Sequence, residues 1–135
     1  MDPQTNEHPN AVRIRGLFAA FRKRDIAAIR DAISERAVWH FPGEAGKLAG
    51  AHVGHAGIVA FLARVSELTD GTFALDLEDV LANDSHAVAF FRGRAQRLGR
   101  TLDNPTCLKV RLHEGRAVEV WEFVWDLRAV DAFWS

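Results

Sequence analysis

The chain has 135 residues and a mass of 15.0 kDa, with 48% hydrophobic and 26% charged residues. That is one globular domain and excludes a disordered polymer. A net charge of -1 offers no global attraction for nucleic acid or an anionic membrane, and no apolar run approaches the roughly 20 residues of a membrane span. The single cysteine, Cys107, excludes an internal disulfide and, with a polar N-terminus free of a signal pattern, points to the cytoplasm.

Residues 1–10 read as a flexible tail, and 11–135 as one domain. Ile14, Leu17, Phe18 and Phe21 fall at i, i+3, i+4, i+7, which predicts a helix over Ala11 to Arg24. Asp25 caps a second helix with Ile26, Ile29 and Ile33 on its stripe. Ala37 to Phe41 is a short strand stopped by Pro42-Gly43, and the glycine-rich stretch from Glu44 to Gly57 is a loop. Ile58, Phe61, Leu62 and Val65 mark a third helix. Four strands follow, over 72–81, 86–98, 104–113 and 116–126, separated by Asn83-Asp84, Gly99-Arg100 and Glu114-Gly115, and the chain closes on a short aromatic tail.

Helices followed by a run of strands imply an α+β domain with three helices packed on one face of a mainly antiparallel sheet. One face of the second long strand carries Ala87, Ala89, Phe91, Gly93 and Ala95. Small residues facing the helices leave room, so a curved sheet here encloses a cavity. Arg92, Arg94, Arg97 and Arg100 form a basic edge, expected to pair with Glu78, Asp79 or Glu119 across the sheet.

The last strand holds the chemistry. By period-two alternation Val118, Val120, Glu122, Val124 and Asp126 share one face, and Glu119, Trp121, Phe123 and Trp125 the other. Carboxylates on an aliphatic face are costly unless paired, hydrated or used. Glu122 and Asp126, about 13 Å apart along a strand, are too distant for a tight dyad, but either serves as a general base if burial raises its pKa. The structural alternatives are that Glu122 pairs with an inward arginine and that Asp126 ends the strand and caps the tail. The stripe Trp121, Phe123 and Trp125 needs cover, either from a second subunit or from Phe133 and Trp134 folding back.

Trp39 and Phe41 share a face of their strand and wall a pocket or fill a core. Asn104 and Thr106 share parity with Leu108, and either present polar groups to the cavity or form a turn after Asp103. His52 and His55 stand in His-x-x-His spacing without the further ligands zinc requires, so no metal is expected. The glycines of that loop lack the lysine and serine or threonine of a phosphate loop.

The order of elements, with Trp39-His-Phe-Pro-Gly43, Ala49-Gly50, Gly54, Gly115-Arg-x-Val-Glu-x-Trp121 and the segment from Asp126 to Trp134, resembles the nuclear-transport-factor-2-like superfamily. It is most similar there to SnoaL-like polyketide cyclases and ketosteroid-isomerase-like proteins, from about Val12 to the end. The resemblance implies a cone-shaped α+β barrel with a pocket at the wide end, and frequent homodimers through the outer sheet face. The steroid isomerases combine a carboxylate base with an oxyanion hole of tyrosine and protonated aspartic acid. Their polar positions correspond to Phe41, Leu17 and Leu108 here, so the resemblance implies no steroid-isomerase reaction. The cyclases use an Asp late in the final strand, for which Asp126 is the nearest match.

Two readings stand. In the first, the chain is an acid–base enzyme of cyclase, isomerase or hydrolase type, acting on an apolar polycyclic or terpenoid-like molecule without a cofactor. Asp126 or Glu122 is the base, and Trp39, Phe41, Leu17, Phe61, Phe91, Asn104, Thr106, Leu108 and Val124 line the pocket. It predicts a closed apolar cavity of several hundred cubic ångströms, roughly the size range of ligand pockets, holding a carboxylate of raised pKa. In the second, a non-catalytic binding or assembly domain, both carboxylates are paired or exposed, and Trp39, Phe41 and Phe91 fill the cavity.

Overall fold

A computed structural model describes residues 7–135, so the first six residues of the expected tail lie outside the described residues. Helix α1 (Pro9–Lys23) starts two residues before the expected Ala11. Pro9 suits a first helical position, and the His8 ring accepts the Asn10 N–H at 3.0 Å. Arg24, at φ 55°, ends α1, and Asp25 caps α2 (Ile26–Ala32) by accepting the Ala28 N–H. Ile33, expected in that helix, opens strand β1 (Ile33–Phe41) instead and pairs with Ala117. A β-branched residue with a strand to join is better placed extended.

The glycine-rich stretch is not all loop. It holds β2 (Gly50–Val53), antiparallel to β1, and the first turn of α3 (Gly54–Leu68). The hairpins follow as β3 (Ala74–Ala82), β4 (His86–Arg97), β5 (Arg100–His113) and β6 (Arg116–Val124). Leu98-Gly99 and Glu114-Gly115 make two of the turns, with φ of 51° and 76°, then 51° and 78°. Paired positive φ is the geometry that matches strand twist in a two-residue hairpin.

The six strands form one open sheet in the order β2-β1-β6-β5-β4-β3, antiparallel except for β1 beside β6. The domain is α+β, as expected, with the sheet curved around its helices rather than closed into a barrel. Ile14, Leu17 and Phe18 of α1 and Ile58, Phe61 and Val65 of α3 pack on the inner face. Ala87, Ala89 and Ala95 are buried there too, so the small-residue face of β4 points at the helices as anticipated. The arginines find other partners than those expected. Arg92 pairs with Asp103 at 2.9 Å and Arg94 with Asp76 and Asp103, because hairpin register sets Arg94 opposite Asp103 and places Arg92–Asp103 and Arg94–Asp76 as diagonal neighbours on one face.

The aromatic tail is a fourth helix, α4 (Leu127–Trp134), which buries Val130, Phe133 and Trp134. The Asp131 carboxylate accepts the N–H groups of Glu44, Ala45 and Gly46 at 3.0, 3.0 and 2.7 Å. A β-carbon on Gly43 or Gly46 would lie 2.3 or 3.0 Å from Asp131 Oδ1, so the loop must be bare there. Arg97 donates to the main-chain oxygens of Phe133 and Ser135, and Arg100 to that of Ala132. Two cations thus meet the last carbonyls of the helix, at its negative end.

Candidate functional site

Strand alternation turns Glu122 inward, but not over the whole stretch expected. Val118 is the extra residue of a β-bulge, since Arg111 faces Glu119 while Leu112 faces Ala117. Ala117 and Val120 are therefore the buried residues before Glu122. β6 ends at Val124, so Asp126 leaves the expected face. It is exposed, and its carboxylate accepts the Ala129 N–H at 3.0 Å as the N-cap of α4.

Two small chambers lie between the sheet and the helices. The larger, of about 60 Å³, is apolar apart from Glu122, and Leu17, Trp39, Phe61, Phe91 and Leu108 are among its walls. The smaller, of about 20 Å³, is lined by Phe41, Asn104, Thr106 and Val124 among others. Glu122, Phe73, Phe91 and Trp134 border both. Every residue expected to line a pocket thus borders one of two neighbouring spaces that share four wall residues, and of the two expected carboxylates only Glu122 does. Leu17, Phe41 and Leu108 face this interior, so the three positions compared with steroid isomerases are apolar at the cavity itself.

The space is smaller than the several hundred cubic ångströms expected, because side chains not anticipated there occupy it. Trp134 of α4 packs edge-on against Phe41 with centroids 6.5 Å apart, and Phe73 packs against Trp134 at 6.4 Å. Phe73, from the loop between α3 and β3, borders both chambers and also an outer groove of about 590 Å³ lined by Phe21, Arg22, Arg24 and Leu62. Phe73, in a loop, carried no periodicity signal, whereas Val130, Phe133 and Trp134 fall at i, i+3, i+4, a helical stripe that marks Trp134 as buried but not which surface it meets.

Glu122 has no cation partner among the described residues, unlike the inward arginine pairing considered from the sequence. Its Oε1 accepts the Trp39 indole N–H at 3.2 Å. By area the residue is only partly covered, but it borders both chambers, and the protein packed around the carboxylate desolvates it. Burial pushes its pKa up to about 7, against a smaller lowering by the Trp39 hydrogen bond. Such a carboxyl exchanges protons near neutral pH.

Asn104 and Thr106 face inward, 6% and 7% exposed. Asn104 Oδ1 accepts the Trp125 N–H at 3.1 Å, and the Thr106 hydroxyl donates to Asn104 O at 3.3 Å. His52 and His55 donate to Leu48 O and Ile33 O, at 2.7 and 2.8 Å, and brace the glycine-rich segment. On the outer sheet face Trp121 lies under the Lys109 ammonium and stacks on His40, while Phe123 and Trp125 are 56% and 85% exposed. Phe133 and Trp134 fold into the interior and leave that stripe uncovered.

Residues 14–124 match the SnoaL-like domain. An uncharacterized protein of Mycobacterium tuberculosis is 35% identical over 123 residues, spanning 90% of this chain and 93% of its own. Bal32a, from a soil-derived mobile gene cassette, superposes with a TM-score of 0.89 at 34% identity over 94% of this chain and 97% of its own. TerC, solved as a co-crystal with polyporic acid, gives 0.81 at 26% identity over 93% of this chain and 98% of its own. No helix among the described residues is long and apolar enough to cross a membrane. The chain belongs to the SnoaL-like family of the nuclear-transport-factor-2-like fold.

Proposed function

We propose that this protein is an acid–base enzyme acting on a small, mainly apolar molecule, with Glu122 as the group that takes and returns the proton. One observation carries the reading: a single carboxyl, without a cation partner and with its pKa pushed to about 7, borders an otherwise apolar cavity. A group of that pKa is a competent base and a competent acid at neutral pH. The apolar lining suits a polycyclic or terpenoid-like substrate, and TerC, a relative of the same fold, was crystallised with a small organic molecule. Asp126 is left the role of a helix cap.

The test is isotope incorporation with a panel of enolisable polycyclic ketones and terpenoid epoxides. Deuterium uptake from heavy water reports proton transfer at carbon, and oxygen-18 uptake reports hydrolysis. At least one compound is expected to take up label with wild-type protein, to lose that uptake by 10²-fold or more with Glu122→Gln, and to retain it with Asp126→Asn. The reading fails if label uptake is unaffected by Glu122→Gln. The limited free volume of about 60 Å³ favours one second reading, a binding domain without chemistry. Binding of panel members with no label uptake would establish that alternative.

We further propose that the outer face bearing Trp121, Phe123 and Trp125 pairs with a second copy of the chain. Exposed aromatics flanked by Lys109, Arg111, His40 and Glu119 offer an apolar centre with charges of both signs around it, which suits a self-complementary contact.

A further inference from the structure

The outer groove of about 590 Å³ lies where the end of α1, α2, one flank of α3 and the start of β3 meet. Its volume falls within the range of small-molecule sites, roughly 300–1,000 Å³. Phe21, Ile26, Ile29, Leu62, Phe73 and Leu75 give it an apolar floor. Phe21 and Phe73 are only half-buried, and Ile26 is 43% exposed. Apolar surface gathered in one open concave place marks a binding site, whereas scattered exposed side chains do not.

The cations on its rim select the occupant. Arg22 and Arg24 line the groove, are exposed, and have no carboxylate within ion-pair distance among the described residues. Arg15, Arg92, Arg94 and Arg111, by contrast, each pair with an acid. The helix dipole accounts for a cation in the last turn of α1, such as Arg22. It does not account for Arg24, which reaches across to α3 and donates to the Ser66 hydroxyl at 3.0 Å. The same nitrogen lies 3.7 Å from where a β-carbon on Gly71 would stand, beside another residue of the groove lining. That bond uses one of the five guanidinium donors, so an edge of the fork stays open. The one acid on the lining, Glu67, pairs with neither arginine, and the groove is left with one positive charge unbalanced.

We propose that this groove binds a small apolar monocarboxylic acid, with Arg24 and Arg22 holding the carboxylate and the apolar body lying along Phe21, Leu62, Phe73 and Leu75. A guanidinium meets a carboxylate through two parallel N–H bonds, and one unbalanced positive charge matches one negative charge. A phosphate monoester would instead bring close to two negative charges beside Glu67. Phe21, Leu62, Phe73 and Leu75 also border the larger chamber, so an acid held at this rim has its apolar end against the interior. Glu122 is not part of the groove lining, and the site does not depend on the acid–base reading.

The experiment compares octanoate with 1-octanol, which share a chain and differ in the charged head, by calorimetric titration at about pH 7.5 and low salt. Wild-type protein is expected to bind octanoate about tenfold more tightly, with the preference shrinking in roughly 0.5 M salt. Arg24→Gln should bring the ratio below about threefold, and the double variant Arg22→Gln/Arg24→Gln close to unity, with 1-octanol affinity unchanged. Ile26→Ser, at an exposed position of the floor, should weaken both probes and leave their ratio intact. Amide shifts caused by octanoate in ¹⁵N-labelled protein should centre on Ala63, Ser66, Glu67 and Gly71.

Failure of octanoate to bind, equal affinity for the two probes, or a preference that survives the double variant overturns the proposal. Amide shifts confined to the strands around Trp39 and Leu108, or to the outer face around Trp121, overturn it as well. Binding to phosphatidylglycerol vesicles without binding of octanoate would assign the two cations to a lipid surface, and the proposal would fall. None of these outcomes bears on label uptake dependent on Glu122, so the groove and the acid–base reading fail separately.

Discussion

The indole N–H of Trp39 donates to Glu122 Oε1 at 3.2 Å, joining neighbouring strands β1 and β6 inside the curve of the sheet. The strands run parallel with Trp39 level with Val120, so Glu122 stands two residues further along the same inward face. This bond orients the carboxyl and partly offsets its desolvation, leaving a pKa of about 7 rather than a higher one.

Because the folded-state pKa of Glu122 lies above that of an unfolded glutamate, Glu122 lowers stability as pH rises. Below the unfolded value of about 4.5 both states are protonated and the group contributes nothing. Between there and about 7 the unfolded chain ionises first, and above 7 the penalty is full. Glu122→Gln is therefore expected to stabilise the protein by about 2–3 kcal/mol near pH 9, and to have little effect near pH 4. Urea unfolding at the two pH values checks this.

Trp39→Phe removes the donor while keeping an aromatic wall. The Glu122 pKa should then rise by about half to one unit, because the lost bond favoured the ionised form. Titration of the ¹³C-labelled glutamate carboxyl by NMR measures it, and a fall in pKa would contradict the role given to Trp39.

Phe73 stands between the outer groove and both chambers, and its ring lies 3.5 Å from where a β-carbon on Gly93 would be. Phe73→Ala should open the interior to the groove and strengthen binding of the uncharged dye N-phenyl-1-naphthylamine, at a stability cost of about 2 kcal/mol for a half-buried ring. Unchanged dye affinity would mean that access lies elsewhere.

Asp131 holds the 44–46 loop through three main-chain N–H groups, which keep its carboxyl below the usual range. A depressed folded-state pKa adds stability above the unfolded value and loses it as pH falls through the folded one. Asp131→Ala should lower the melting temperature at neutral pH and expose the chain around α4 to limited proteolysis. The melting difference from wild type should shrink as the solution is made strongly acidic.

Trp125→Glu, at a position 85% exposed, is expected to leave the fold intact and convert a dimer into a monomer. Sedimentation equilibrium of both proteins decides it, and a monomeric wild type would remove the proposed pairing.

Much of the architecture was legible in the residues themselves. The apolar stripe of α1, the Asp25 cap, the hairpin strands and the inward small face of β4 all depend on local chemistry. Turn residues and period-two alternation act within a few residues, so they can be read without knowing the fold. Alternation also put Glu122 on the inner face, opposite Trp121 and Phe123.

What alternation could not reveal is where it stops. The bulge at Val118 and the end of β6 at Val124 are set by pairing with β5, and they take Asp126 out to the cap of α4. The size of the cavity was likewise decided in three dimensions, by Phe73 and Trp134 arriving from remote segments. The sequence alone determined that a carboxylate sits on an apolar strand face. Only the tertiary structure decided that Glu122 and not Asp126 borders the cavity, because desolvation and strand register are properties of neighbours distant in the chain.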